Sequence, residues 1–229
     1  MDIFLVPVGG DGYELYCEID DGEAPEPREG RPRWRQKASA VFHRMLRYIE
    51  TERRSRLEKA AAAPRTRVER IGDRAMAWLA ERVAEQRLLW QLRSQTAATA
   101  HYPDDLTAAA ADAVVRDSLR RDSRRHLRWA VVHTVAYLAA LPLSAIPGPN
   151  FLTFFFSFRA LGHLLSWMGA RQGLRAVAWR HEVCPPLTRL RGLAALDPAA
   201  RVALAREVAA VLQLQRLDTF VARMTLGGP

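Results

Sequence analysis

Hydrophobic residues follow three different patterns along this 229-residue chain, and each pattern predicts a different kind of element. Two short apolar runs, at residues 3–8 and 13–19, flank a Gly-Gly-Asp-Gly sequence. Glycine supplies the positive φ angles of a tight turn, so these runs predict a β-hairpin, the only clear strand signal in the chain. Over residues 33–63 and 66–98, apolar residues recur at helical spacing among many charges, which predicts two long amphipathic helices. The short turn at Pro64 predicts that they pack antiparallel.

The third pattern is nearly continuous apolar sequence at residues 129–146 and 151–168, each 18 residues long. As a helix, each stretch would be about 27 Å long, close to the ~30 Å hydrocarbon core of a bilayer. The short corner that joins them predicts a second antiparallel hairpin, and it consists of Pro147, Gly148, Pro149 and Asn150. This apolar helical hairpin is expected either to insert into a membrane or to form the buried core of a soluble domain.

The charges around the apolar hairpin favour the membrane interpretation. Basic residues flank both of its open ends: Arg120, Arg121, Arg124, Arg125 and Arg128 come before it, and Arg171, Arg175 and Arg180 come after it. The positive-inside rule then places both termini of the chain on the cytoplasmic-type side. Two residues oppose insertion. Pro142 is expected to kink or stop the first helix near Leu141, and Arg159 near the middle of the second stretch costs roughly 2.5–3.5 kcal/mol.

The rest of the chain predicts loops and a helical tail. The sequence His-Tyr-Pro-Asp-Asp-Leu at residues 101–106 is expected to be a loop whose aspartate caps the following helix, which explains its histidine and aspartates better than a metal site does. Asp197 followed by Pro198 is a typical helix start. The expected fold is therefore mainly α, with an N-terminal β-hairpin, a long antiparallel helical hairpin, an apolar helical hairpin and C-terminal helices. The expected domains are 1–32 (β-hairpin and linker), 33–100 (amphipathic hairpin), 101–182 (basic helix and apolar hairpin) and 183–229 (helical tail).

Composition and charge limit the kinds of partner that the chain is expected to bind and the compartment in which it is expected to lie. The formal net charge is +9, and Lys37 and Lys59 are the only lysines. Arginine in place of lysine most often reflects a GC-rich genome. The alternative is a polyanionic partner, for which an anionic lipid membrane fits better than nucleic acid, because the basic residues are mixed with glutamates and form no nucleic-acid-binding module. Cys17 and Cys184 are the only cysteines and lie far apart in the sequence, which excludes a disulfide framework and a thiolate zinc site. The first residues lack the features of a signal peptide, so any membrane segment is expected to be internal.

Arg159 and His163 are the candidate functional pair. Their spacing of four residues places them on one helix face, with Gly162 beside them to admit another backbone. One interpretation makes His163 a proton-titrating group whose pKa is held down by Arg159. The other gives both residues a structural role. No nucleophile elbow, paired catalytic carboxylates, metal-ligand pair or dinucleotide fingerprint is present, so neither enzymatic activity nor a cofactor is expected.

Residues 124–174 resemble the mitochondrial K+/H+ exchange-related proteins, here as a bacterial-type member. The resemblance consists of a basic lead-in, an apolar run that ends in Leu-Pro, the Pro-Gly-Pro-Asn corner and an aromatic run. The opening sequence Met-Asp-Ile-Phe-Leu-Val-Pro-Val is also similar. The matching positions are Leu141, Pro142, Pro147, Pro149, Asn150, Arg159 and His163, with Gly173 a looser match. Leu164 departs from the family, which tends to have tryptophan after the histidine.

The resemblance implies an inner-membrane protein tied to potassium–proton balance, as an assembly or regulatory factor. Asp and Glu are absent from Trp129 to Arg180 and no internal repeat is visible, which favours an accessory role over an exchanger. We therefore expect a membrane-associated accessory protein without enzymatic activity, in the bacterial or the mitochondrial inner membrane, with a protein partner or a second copy. The alternative is a soluble all-helical scaffold or adaptor that binds a partner through its long charged helices.

Overall fold

The computed structural model describes residues 1–9, 12–18, 87–142 and 151–226. The chain divides into two compact units, one formed by Met1–Glu18 with Leu88–Pro229 and the other by Ile19–Arg87. The second unit falls almost wholly outside the described residues, and with it most of the predicted amphipathic hairpin. The predicted corner Pro147, Gly148, Pro149 and Asn150 also lies outside the described residues.

A four-stranded mixed sheet forms the centre of the first unit. Its strands are β1 (Asp2–Gly9), β2 (Gly12–Tyr16), β3 (Ala97–Tyr102) and β4 (Ala178–Val183), and their order in the sheet is β2-β1-β3-β4. β1 pairs antiparallel with β2, as the predicted hairpin requires. β3 runs parallel to both β1 and β4, with Ala100 opposite Ile3 and His181. Parallel neighbours need long crossover connections, and residues 103–177 supply the one between β3 and β4.

Helices cover both faces of this sheet. α1 (Ala108–Ala140) and α2 (Phe151–Arg175) form a helical pair between β3 and β4. After β4 come the short helix α3 (Pro185–Thr188), a 3-10 helix (Arg189–Ala195), α4 (Pro198–Leu212) and α5 (Leu217–Leu226). The Asp197 side chain accepts hydrogen bonds from the backbone N–H groups of Ala199 and Ala200, so the predicted start of α4 is confirmed.

The two faces of β1 explain its unbroken apolar sequence. Successive side chains of a strand point to opposite faces. Ile3 and Leu5 pack with the first part of α1 and with Leu92, whereas Phe4 and Val6 pack with the C-terminal helices. A strand that is buried on both sides has no polar face, as is usual for parallel sheets.

The fold expected from the sequence is wrong in two elements. β3 and β4 are strands that were not predicted, so the first unit is a mixed sheet with helices on both faces and the chain is not all-α. His101 and Tyr102 belong to β3 and not to a loop, and the side chain of Thr107, not an aspartate, caps α1. The sheet likewise removes the all-helical part of the scaffold alternative.

The predicted transmembrane hairpin is also wrong. Among the described residues, none of the helices combines the length and the apolar character needed to cross a bilayer. The basic run and residues 129–140 of the first apolar stretch form one continuous helix, α1, and the second apolar stretch contains Arg159 and His163. α1 ends at Ala140, close to the stop that Pro142 predicted.

Candidate functional site

The site lies where α1, α2 and the helical segment 87–92 pack together, and glycines set the spacing there. A Cβ atom at Gly169 would lie 1.7 Å from the carbonyl oxygen of Leu89, so only glycine fits. A Cβ atom at Gly173 would lie 2.5 Å from a methyl carbon of Leu92 and 3.0 Å from one of Leu119. Small residues thus allow segment 87–92 to approach the backbone of α2, as glycine does in closely packed helix pairs.

Trp90 joins the same segment to the middle of α2. Its indole N–H lies 3.1 Å from the carbonyl oxygen of Gly162 and 2.9 Å from the hydroxyl of Ser166, and it donates to both. Ser166 is fully buried and its hydroxyl donates back to the Gly162 carbonyl, at 2.9 Å. These bonds fix the turn of α2 that carries His163.

Three buried histidines meet on the contact between α1 and α2. His126 and His133 come from α1 and His163 comes from α2. The Nδ1 atoms of His126 and His163 are 2.9 Å apart, which is a hydrogen bond. The ring centroids of His133 and His163 are 5.1 Å apart, with the rings close to parallel. One Nδ1 must donate and the other accept, so in the neutral pair the two rings carry their protons on different nitrogens.

Neighbouring groups fix the orientation of the third histidine. Nδ1 of His133 lies 2.7 Å from the Trp129 carbonyl oxygen, to which it donates. The Trp129 ring lies against both His133 and His163, with centroids 5.4 Å and 6.4 Å away. The Phe156 ring of α2 lies 6.3 Å from that of His133. Aromatic rings therefore contact His133 and His163, and all three histidines are buried.

This environment opposes protonation. Burial, together with the positive charges of Arg125 and Arg159, lowers the pKa of His126 to about 4. Burial first, then Arg159 and the other two histidines, lowers the pKa of His163 to about 3. Within the described residues, Nε2 of His163 is buried without a hydrogen-bond partner. An imidazolium at His163 would therefore bury a charged donor that has no acceptor, which is costly.

The chemistry open to this cluster is proton binding. Its members are imidazoles, and the charges that shift the pKa values of His126 and His163 are those of Arg125, Arg159 and the neighbouring histidines. No group of three or more histidine, cysteine or acidic side chains in the described ranges has the geometry of a metal site. The two cysteines, Cys17 and Cys184, are free thiols outside this cluster.

The structure assembles more than the sequence predicted here. Arg159 and His163 lie together on α2 as expected, and Arg120, Arg121, Arg124, Arg125 and Arg128 all lie exposed on α1. His126 and His133 were not predicted as partners of His163. One signal was available, because His126 and His133 are seven residues apart and so share one helix face.

The residues that were considered and rejected as a metal site have other contacts at the sheet. His101 lies 3.2 Å from Asp2 across the strand pair and stacks on Phe4. Asp104 accepts a hydrogen bond from Thr188, and Asp105 forms an ion pair with Arg191. These contacts join the sheet to the C-terminal helices and do not reach the histidine cluster.

Fold and site together define a layered α/β protein with a buried, arginine-flanked histidine cluster between two helices. A sequence model described as mitochondrial K+-H+ exchange-related matches residues 3–176, from β1 to the end of α2. The chain belongs to this family. The match covers the sheet strands β1–β3 and all three histidines of the cluster, and it links the chain to processes related to K+/H+ exchange. No curated protein and no solved structure matches the chain.

Proposed function

We propose that this chain is a membrane-associated accessory or regulatory protein of potassium–proton homeostasis, without enzymatic activity, and that its histidine cluster is the part that responds to protons. The observation that carries the proposal is the His126–His163 hydrogen bond, buried between α1 and α2 beside two arginines. Family membership supplies the link to potassium and protons. An inner membrane of a bacterium or a mitochondrion is the proposed location.

Proton binding would work against the contact between α1 and α2. In a solvated conformation, where the helices separate, each histidine regains a pKa near 6.5. The packed conformation holds the pKa values of His126 and His163 well below that. The packed contact is therefore most stable above pH 6.5 and weakens as the pH falls, by up to about 1.4 kcal/mol per pH unit for each histidine. Acidification thus favours an opened helix pair.

A reconstitution experiment tests the accessory role. Purified chain in liposomes is expected to give no potassium-dependent proton flux, whereas membrane vesicles from cells that lack the chain are expected to show altered flux, restored by the wild-type chain. Exchange by the purified chain alone would contradict an accessory role. Unchanged flux in vesicles that lack the chain would contradict any role in this process.

The histidine cluster is tested in the same vesicles. His163→Gln removes the proton site, and we expect it to restore flux with a shifted pH profile. His181→Gln, on β4 and outside the cluster, is the matched control and is expected to behave as wild type. An identical pH profile for His163→Gln and wild type would show that Arg159 and His163 have a structural role and not a proton-sensing one.

A further inference from the structure

One face of α1 remains exposed although it is rich in large apolar residues. Six such side chains are exposed on it within residues 127–141: Leu127, Val131, Val132, Val135, Leu138 and Leu141. Val131, Val135 and Leu138 are each more than half exposed. A contiguous patch of this kind is uncommon on a protein surface and marks an interaction site.

Arginines continue the same face toward the start of the helix. Arg120, Arg124, Leu127, Val131, Val135 and Leu138 follow one another at steps of three or four residues and so form one row along α1. The opposite side of the helix carries the buried residues His126, Ala130, His133 and Ala140. The row is basic over its first part, about 6 Å long from Arg120 to Arg124, and apolar over about 17 Å from Leu127 to Leu138.

We propose that this face of α1 docks on the surface of an anionic lipid bilayer, with its arginines at the lipid phosphates and its valines and leucines in the interfacial layer. The inference rests on the membrane association proposed above and identifies the surface responsible. The helix does not cross the bilayer. A bilayer surface offers anionic groups directly next to hydrocarbon, and the row presents arginines directly next to apolar side chains.

Charge argues against a second copy as the occupant. The chain carries a net charge of +9, and residues 120–128 contain five arginines but a single carboxylate, Asp122. Arg121 pairs with Asp117, four residues before it, at 3.5 Å, but no carboxylate lies four residues before or after Arg120, Arg124 or Arg128. Two copies joined through this face would bring like charges together, whereas phosphate groups of lipid would neutralise them.

Vesicle binding tests the arginine part of the surface. The full chain is expected to float with vesicles of phosphatidylcholine containing roughly one third phosphatidylglycerol, but not with phosphatidylcholine alone, and to detach at high salt. Arg124→Gln with Arg128→Gln is expected to weaken binding about 30-fold, since each arginine near an anionic surface is worth roughly fivefold. Arg180→Gln with Arg206→Gln removes the same charge from β4 and α4 and is expected to keep wild-type binding.

The apolar part has its own matched pair of variants. Val131→Ser with Val135→Ser is expected to weaken binding about tenfold, because the valines lose their burial in the interface. Val183→Ser with Val211→Ser removes two exposed valines from β4 and α4 and is expected to have no effect. Circular dichroism of all variants in the absence of lipid confirms that each is folded.

Three outcomes overturn the inference, and they are distinguishable from one another. Binding that survives both α1 variants places the membrane contact elsewhere and leaves the proposed function standing. Absence of binding to anionic vesicles removes the membrane association from both proposals, while the proton response of the histidines is measured separately in solution. A dimer in light scattering that Val131→Ser with Val135→Ser converts to a monomer assigns this face to a second copy.

Discussion

The first and second halves of α1 form one continuous helix but have opposite arrangements of apolar residues. In the first half the large apolar side chains of Val115 and Leu119 are fully buried against the sheet. In the second half the buried positions are alanines and histidines, and valines and leucines face outward. Globular proteins normally bury the larger apolar side chains and expose the titratable ones.

This inversion separates the part of the helix that stabilises the fold from the part available for function. Burying histidines and exposing valines costs stability, and nothing in the sheet packing requires it. The second half is also where arginines lie beside the buried imidazoles. The comparison is therefore tested by substituting residues in each half and measuring stability, proton response and lipid binding.

The largest expected effect comes from the glycine at the close approach to α2. Gly169→Ala places a Cβ atom against the backbone of Leu89, which cannot move as a side chain would, so we expect a loss of about 3 kcal/mol or more in the free energy of unfolding. Gly192→Ala has open space around its Cβ position and serves as the control. Chemical denaturation measures both, and equal stability of the two variants would mean that segment 87–92 does not pack on α2.

Truncation in the two halves of α1 should give very different results. Leu119→Ala leaves a cavity in the core beside the sheet and is expected to cost about 3 kcal/mol. Val135→Ala removes a side chain that is 61% exposed and is expected to change stability by less than about 0.5 kcal/mol. A loss at Val135 comparable to that at Leu119 would show that a part of the protein covers the second half of α1.

The pH dependence of stability should depend on the second half. Because burial lowers the pKa of His126 and His163 below the unfolded value of about 6.5, the unfolded chain binds more protons below that pH, and stability falls with pH. Between pH 7 and pH 5 we expect the pair to account for a loss of about 2 kcal/mol, after allowance for partial screening by solvent.

Urea denaturation at both pH values isolates this contribution. His126→Gln with His163→Gln is expected to lose less stability on acidification than the wild type does. Leu119→Val, which lowers stability without removing a titrating group, is the control and is expected to keep the wild-type difference. Parallel pH profiles for the wild type and the histidine variant would show that both imidazoles are solvated.

The sequence predicted the β-hairpin and α4 because their signals are local. Two short apolar runs around glycines specify β1 and β2, and an aspartate before a proline specifies the start of α4. β3 was not predicted because its sequence, Ala-Ala-Thr-Ala-His-Tyr, is rich in alanine, which has low strand propensity. Alanine is present because helices pack directly on the strand, and Ala100 is completely buried there. The strand depends on tertiary packing, which cannot be read from the local sequence.

The histidine cluster was predictable in part. Residues at equal distances from the turn of an antiparallel hairpin lie opposite each other, and the mean of 133 and 163 is 148, within the Pro147–Asn150 corner. That count predicts the His133–His163 contact. The His126–His163 hydrogen bond spans another two turns of α1 and depends on side-chain rotamers, which the spacing of residues does not determine.

The smallest expected effect is a change in the free energy of unfolding when an arginine of α1 is replaced, and its sign is opposite in the two halves of the helix. Arg124 has arginines four residues before and after it, and like charges at this spacing destabilise a helix by a few tenths of a kcal/mol per pair. Arg124→Gln is therefore expected to raise the free energy of unfolding by roughly 0.5 kcal/mol at low salt and to have little effect at high salt. Arg116→Gln, which removes the 2.7 Å ion pair with Asp112, is expected to lower it by a similar amount. If Arg124→Gln stabilises the protein and also weakens its binding to anionic vesicles, the arginine row contributes to binding and not to the stability of the fold. If Arg124→Gln destabilises the protein, the row is a structural part of α1.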